Sequence, residues 1–368
     1  MRQRTVASVL LGIGCLLSAH SSGAETTRGL DPALLNRAFE HAAGQKRLHA
    51  LIVARDGKIM RERAFRGPGL NRPTNIKSAS KSIISALVGI AIDRGVIEGS
   101  DQPASAFLAE YMPRNGDPRL RRITVGNLLS MQAGLERTSG RYYGRWVQSR
   151  DWVRHALSRP FADEPGGSML YSTGSTHLLS AILTKAAGRS TLALARDWLG
   201  EPLGIDIPAW ERDPQGIYLG GNNMLLSPRA LLRFGELYRN GGLHDGKQVL
   251  SEGWIRKSWE TRTHSRFSAH PYGYGWFKTG FCGHTAPYAR GFGGQFVYVI
   301  PSLGMTVVIT SDRSARTRIG GYRDRLTSLM RDDLVPAAIK ADGGVCIPAE
   351  QKRRFRPMDK SYIAPPCP

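Results

Sequence analysis

The chain is predicted to be an α/β (α+β) protein, with an antiparallel sheet built from N- and C-terminal strands, flanking helices and an inserted, mostly helical region. Three observations carry this expectation. Leu48 to Arg55 alternates into Asp56-Gly57 and Ile59 to Phe65 follows, which reads as strand, tight turn, strand. Strand signals return only near the other end, at Tyr272 to Phe277, Gln295 to Ile300 and Met305 to Thr310. The stretch between, from about residue 100 to 212, reads as helices and long loops. A chain of 368 residues can bury a substantial core, and 41% apolar with 22% charged content excludes a fibrous or disordered protein.

Taken in order, the first 24 residues stand apart. Arg2 and Arg4 precede an apolar run from Val6 to Leu17, and Ser22-Gly23-Ala24 offers small residues at the cleavage positions. This predicts a secretory signal peptide cut after Ala24 and a secreted or periplasmic product. The run is too short to cross a membrane, and no later stretch approaches that length, so no integral segment is expected in the mature chain. A lipoprotein anchor at Cys15 is the weaker reading, because Gly12-Ile13-Gly14 is a poor lipobox. Residues 25–345 are expected to form the main domain. Its α/β part lies at about 45–100 and 215–340, and its helical insertion at about 101–214. A basic, proline-rich irregular tail is expected over 346–368.

Inside the domain, a Pro- and Gly-rich loop from Gly67 to Pro73 leads to a helix opening at Ser78 and running to Asp93. Ile83, Ile84, Leu87, Val88, Ile90 and Ala91 make that helix apolar almost all round, so it belongs inside the domain. Further helices are predicted at Val125 to Met131, Asp151 to Leu157, Thr176 to Ala187 and Leu192 to Leu199. Ser227-Pro228, a cap followed by proline, opens another that reaches Tyr238, and a last one runs from Tyr322 to about Ala338.

The S-x-x-K spacing of Ser78 and Lys81 places a hydroxyl and an amine one turn apart on one helical face. A serine hydroxyl becomes a nucleophile only when a neighbouring base takes its proton. Lysine can be that base if burial lowers its pKa, and the apolar helix supplies the burial. Lys81 is the only lysine in the chain with a serine three residues before it.

The charge balance is strongly basic, with 51 Lys and Arg against 30 Asp and Glu. The arginines are scattered, and neither a basic stripe with interleaved aromatics nor a known module is present, so no nucleic-acid partner is expected. Weak contact with anionic envelope polymers is the partner this charge allows. No C-x-x-C, His-x-x-x-His or acidic loop supports a metal site, and no cofactor is expected. Beyond the leader, Cys282, Cys346 and Cys367 predict one disulfide and one free thiol. Cys346 is expected to pair with Cys282 or Cys367.

Over residues 45 to 335 the chain resembles the serine β-lactamase-like hydrolases, in the branch of class C β-lactamases, esterases and 6-aminohexanoate-dimer hydrolases. The pieces that carry the resemblance include Lys77-Ser-Ala-Ser-Lys-Ser82, Ile123 to Leu135, Pro165-Gly-Gly-Ser-Met-Leu-Tyr-Ser172 and Glu201 to Ile205. Asn240 to Leu250, Tyr272-Gly-Tyr-Gly-Trp276 and Gly291-Phe-Gly-Gly-Gln295 complete it. The resemblance implies a β-lactamase/transpeptidase-like fold and acyl-enzyme chemistry. Ser78 is implied as nucleophile, Lys81 as its proton acceptor and Tyr171 as a second acid–base group coupled to Lys81. The backbone N–H groups of Ser78 and Gly294 are implied as the oxyanion hole, and Gly291, Phe292 and Gly293 as the cleft edge. Tyr143 and Trp276 are expected to wall the cleft. Lys278-Thr279-Gly280 spells the third-motif triad of β-lactamases, but it precedes what reads as a loop and is taken as a decoy.

Two departures bear on substrate. Thr173 stands where β-lactamases of the branch carry asparagine, and the Gly291 segment lacks a lysine. Both point to a small ester, amide or short peptide rather than a β-lactam. A β-lactamase or D,D-peptidase, and a non-catalytic envelope-binding protein, are the alternatives.

Overall fold

The computed structural model describes residues 28–313 and 321–346. The expected leader, Cys367 and nearly all of the expected tail lie outside them. Eight strands form the main sheet. They are β1 Leu48–Arg55, β2 Lys58–Ala64, β3 Thr263–His264, β4 Pro271–Tyr272, β5 Phe277–Phe281, β6 His284–Gly291, β7 Gln295–Ile300 and β8 Met305–Ser311. Their spatial order is β2-β1-β8-β7-β6-β5-β4-β3. Every pairing is antiparallel. The N-terminal hairpin joins the C-terminal strands through β1 and β8, with Leu51 opposite Ile309 and Val53 opposite Val307.

Both faces of the sheet are covered, so its central strands are apolar throughout rather than alternating with polar residues. Ile52, Ala54, Val297, Val299 and Val308 face one core with the helical region. Leu51, Val53, Phe296, Tyr298, Val307 and Ile309 face the other, with the terminal helices. The two sets alternate along the strands, as the period of two requires.

The longer helices used below are α1 Pro32–Ala43, α2 Ser80–Asp93, α3 Val125–Leu129, α4 Trp152–Leu157 and α5 Thr173–Ala187. They continue with α6 Thr191–Ala195, α7 Pro228–Arg239, α8 Glu252–Trp259, α9 Tyr322–Ser328 and α10 Val335–Ala341. Caps account for several starts. Asp31, Asp151, Ser227 and Ser251 each accept a first-turn backbone N–H. Helix α8 was not anticipated from the sequence, although Ser251 is its visible cap.

Two expected helices are interrupted. The one predicted over Leu192 to Leu199 passes into a π turn at Arg196–Gly200, and the last one contains a π turn at Leu329–Leu334. Each turn stands just before a proline, Pro202 or Pro336, which lacks the N–H a regular helix would use. The carbonyl of Asp332, four residues before Pro336, is instead taken by the Arg37 guanidinium at 2.9 Å.

The strand expected over Tyr272 to Phe277 is also broken. It is two residues of β4, a tight loop, and then β5. Gly275 has φ +78, and a Cβ there would stand 2.8 Å from the Lys81 carbonyl, so the loop docks on α2. Ser82 and Ser85 of α2 donate to the Gly275 and Tyr274 carbonyls, both at 2.7 Å. The segment from Phe281 to Pro287, expected as a loop, is the β5–β6 turn followed by the start of β6. Cys282 and Gly283 take left-handed φ values of +49 and +82 at that turn. The disulfide joins Cys282 to Cys346, which ties this hairpin to the segment that follows α10.

Candidate active site

The turn that presents Ser78 is set by its neighbours. The Lys77 N–H donates to the Asn75 side chain at 2.9 Å, and Lys77 itself is left-handed, with φ +52. A lysine in that region is strained, and the strain sits one residue before the nucleophile candidate. Lys77 to Ala79 form a single 3-10 turn, and Ser80 Oγ donates to the Lys77 carbonyl at 2.6 Å as α2 begins. The expected helix start at Ser78 is therefore this turn. Ser78 has a first-turn N–H with no helical acceptor, free to point at a ligand.

Lys81 lies one turn further and is buried. Its Nζ donates to the Gly221 carbonyl at 2.6 Å, to Thr173 Oγ1 at 3.3 Å and to Ser78 Oγ at 3.5 Å. Among the described residues no carboxylate joins this set. Burial without a counter-charge lowers the Lys81 pKa from the ordinary lysine range to about 7. Thr173, the departure from asparagine, thus supplies an oxygen to the lysine.

Tyr171 precedes α5 and faces both Ser78 and Lys81, with the Lys81 ammonium 5.1 Å from its ring centre. Its ring stacks on Phe277 at 6.2 Å and meets Tyr272 edge-on at 6.5 Å. Burial raises the phenol's pKa, and a hydrogen bond with Ser78 and the nearby Arg290 charge offset part of the rise. Tyr171 was expected to be coupled to Lys81; the charge that lowers its pKa here is that of Arg290 on β6. The phenol is therefore neutral near pH 7, where Lys81 is poised to exchange a proton.

The lysine's carbonyl anchor is itself held from behind. Gly221 has φ +73 and no room for a Cβ, which would lie 2.3 Å from Thr176 Oγ1 and 2.8 Å from Lys81 Cγ. Its neighbour Gly220 donates to His177 Nδ1 at 3.3 Å, and His177 Nε2 bonds the Asp213 carboxylate at 3.0 Å. With Nδ1 accepting, Nε2 carries the proton given to Asp213. Asp213 also receives the Gln215 and Ile217 N–H groups at 2.9 and 2.8 Å. His177 is fully buried and lies behind the Gly220-Gly221 segment that holds Lys81.

Strand β6 forms the other wall. A Cβ at Gly291 would stand 2.1 Å from the Ile76 carbonyl, so only glycine lets β6 lie this close to the Ser78 turn. A cavity lobe of about 230 Å³ is lined by Ser78, Tyr171, Ser265, Phe267, Phe277, Arg290, Gly291 and Phe292. A second lobe of about 420 Å³ shares Ser78, Tyr171, Phe267 and Phe292 and adds Lys77, Arg137, Tyr143, Thr173 and Asn222, among others. A more open groove of about 790 Å³, around Arg189, Asp197 and Glu201, contains none of these groups.

The structure thus gathers Ser78, Tyr171, Gly291, Phe292 and Tyr143 around one cavity, with Lys81 buried behind Ser78, and corrects three other expectations. Trp276 is fully buried, 4.5 Å from the Tyr238 ring and stacked on Phe234 at 5.9 Å, and does not wall the cleft. Gly293 and Gly294 form the β6–β7 turn and do not line the cavity. A Cβ at Gly294 would meet Ser311, Leu326 and Tyr322, and one at Gly293 would meet Asp312 and Arg313. The cleft edge is the end of β6, one strand earlier than the run into Gln295–Ile300. Pro287 and the polar start at His284-Thr285 hid β6 from the strand pattern. Lys278 lines a separate cavity with Trp259, His284 and Ser302, so its triad is away from Ser78. Arg290, Lys77, Arg137, Phe267 and Asn222 are cavity residues the sequence reading missed; only Lys77, adjacent to Ser78, and Arg290, adjacent to Gly291, carried a signal. Among the described residues no three His, Cys, Asp or Glu side chains group as metal ligands. No described helix is long and apolar enough to cross a membrane.

Residues 35–329 match the Beta-lactamase family. The chain belongs to that family. Esterase EstB of Burkholderia gladioli is 28% identical over 198 residues, covering 47% of this chain and 50% of that protein. The 6-aminohexanoate-dimer hydrolase of Paenarthrobacter ureafaciens is 26% identical over 223 residues, covering 56% and 55%. The chain spans about half the length of the curated relatives it matches. Among solved structures, a penicillin-binding protein homolog from Caulobacter crescentus superposes with a TM-score of 0.67 at 19% identity, covering 85% of this chain and 99% of that one. This is the fold of the Beta-lactamase family: an antiparallel sheet with flanking helices and an inserted helical region.

Proposed function

We propose that this chain is an exported serine hydrolase that cleaves an ester or amide bond through an acyl-enzyme on Ser78. The observation that carries the reading is the carboxylate-free burial of Lys81 within 3.5 Å of the Ser78 hydroxyl, beside a cavity that Tyr171 also lines. Neutral Lys81 takes the Ser78 proton, and Oγ bonds to the substrate carbonyl carbon as the carbonyl π pair moves onto oxygen. The N–H groups of Ser78 and Phe292 hold that oxyanion, with Phe292 in place of the expected Gly294. Each such donor is worth about 3 kcal/mol in the transition state. The oxygen pair then returns, the C–O or C–N bond breaks, and the leaving group receives a proton from the Lys81/Tyr171 pair. A water that gives its proton to the same pair hydrolyses the acyl-enzyme and regenerates Ser78.

The small-molecule esterase and amide hydrolase among the relatives support this substrate class. The lysine-containing triad that a β-lactamase or D,D-peptidase reading would need stands at the other cavity. Export rests on the leader pattern of residues 1–24, and mass spectrometry of the secreted protein should find Glu25 as the first residue.

The test is hydrolysis of p-nitrophenyl butyrate by residues 25–368 beside Ser78→Ala. The variant should lose at least ~10³-fold in kcat, as removal of a catalytic nucleophile does. Equal rates in the two proteins would overturn the assignment of Ser78.

A further inference from the structure

Among the described residues the cavity around Ser78 carries three cations and no carboxylate. Lys77 and Arg137 line the larger lobe and Arg290 the smaller one. Several partly buried arginines elsewhere in this protein are matched with acids: Arg239 with Glu236 at 2.7 Å, Arg119 with Asp117 at 2.6 Å, and Arg159 with Glu136. The larger lobe departs from that pattern. Glu136, adjacent in sequence to Arg137, is engaged by Arg159 and does not line the lobe. Glu211 is held by the Asn223 amide at 2.7 Å, and the oxygen of that amide receives the Lys77 ammonium at 3.1 Å. Lys77 is thereby aimed by a neutral acceptor rather than neutralised by an acid. Arg137 lies over the Phe267 ring at 5.5 Å, a contact that leaves its N–H donors available. Both side chains are half-buried, so their charges are screened less than surface ones.

The rest of the lobe suits the uncharged part of a substrate. Phe267 and Phe292, 71% and 56% exposed, stand between the two lobes as apolar walls. Tyr143 is fixed by the Asn222 amide at 3.0 Å. Two unneutralised cations beside aromatic walls recognise an anion on an apolar stem.

We infer that the larger lobe anchors a carboxylate of the substrate through Lys77 and Arg137, so that the enzyme prefers esters or amides bearing that negative charge. The inference rests on the Ser78 reading and specifies its substrate class. Arg290 stays with Tyr171 and is not part of the anchor.

Two matched pairs of esters test it. Mono-p-nitrophenyl glutarate against p-nitrophenyl valerate places the carboxylate on the acyl side. The ester 4-butyryloxybenzoate against its methyl ester places it on the leaving group. In at least one pair the charged ester should have kcat/KM about tenfold or more above its neutral partner, the scale of a charge-assisted contact. The preference should shrink at high salt and approach unity in Lys77→Gln/Arg137→Gln. Arg137→Gln alone should lose part of it. Because each comparison is a ratio within one protein, a general loss of folding or of chemistry cancels. Neutral esters favoured in both pairs, or a charged preference that survives in the double variant, would overturn the anchor. If no ester turns over, the Ser78 reading fails. Calorimetric binding of glutarate then decides the anchor separately: it holds if the intact protein binds and the double variant does not, and falls otherwise.

Discussion

At the floor of the cleft, Lys81 is sealed from water against Thr173 and the Gly221 carbonyl, whereas four residues earlier Lys77 reaches the rim beside Arg137. Neither has an ion-pair partner among the described residues, yet the consequences differ. At the floor, desolvation acts alone and brings the amine to a pKa of about 7, suited to proton transfer. At the rim, burial lowers the Lys77 pKa with the help of the Arg313 charge, while Glu211 raises it. Partial exposure leaves this ammonium able to meet an anion. The depth of a lysine, more than its neighbours in sequence, separates a base from an anchor.

Replacing Lys81 by Arg tests the floor most severely. Arginine stays protonated, so kcat for ester hydrolysis should fall by at least ~10³-fold even though a cation is retained. Near-normal turnover in Lys81→Arg would show that the floor works by charge alone. The pH profile sharpens the same point. Since the base must be neutral, wild-type kcat/KM should rise with pH through about 7. The sign for stability follows from the same shift. The unfolded lysine titrates near its ordinary 10.5 and the folded one near 7, so the unfolded state binds the extra proton between them. The cost of burying Lys81 is absent above pH 10.5, grows as pH falls toward 7 and is constant below. Thermal unfolding of Lys81→Met against wild type should therefore favour the variant more at pH 7.5 than at pH 10.

Tyr171→Phe removes the second acid–base group while keeping the stack on Phe277, and should reduce kcat about 10²-fold. Gly291→Ala forces a methyl toward the Ile76 carbonyl, 2.1 Å away, and must separate β6 from the Ser78 turn. We expect a loss of about 1–3 kcal/mol in stability from overpacking, read by denaturant unfolding, with a fall in kcat/KM of roughly tenfold. The smallest effect belongs to Lys278→Ala, whose kcat/KM should stay within about twofold of wild type, as for surface changes remote from chemistry. A larger loss would bring the Lys278 cavity into the site.

Much of this was legible before any coordinates. The hairpin at Leu48 to Phe65 and the cap-proline start at Ser227 are local signals, and both stand in the structure within a residue or so at their starts. The order of motifs identified the family. What failed was the assignment of segments whose partners are distant. Tyr272 to Trp276 alternates like a strand, but its glycines are spent on docking against α2 and the Ser258 carbonyl. Trp276 belongs to an aromatic core with Phe234 and Tyr238, which no local pattern separates from a cleft wall.

The sequence by itself determined the apolar α2 helix, the one-turn spacing of Ser78 and Lys81, and the sheet shared by the two ends of the chain, because spacing and periodicity are properties of the backbone. Only the tertiary structure decided which strand flanks Ser78, which cysteine Cys346 joins, and which cation acts on Tyr171. Those outcomes depend on groups far apart in the chain, with Gly291 against Ile76, Lys81 under Gly221 and Arg290 beside Tyr171. Close approach and desolvation come into being when the layers pack, and no run of neighbouring residues encodes them.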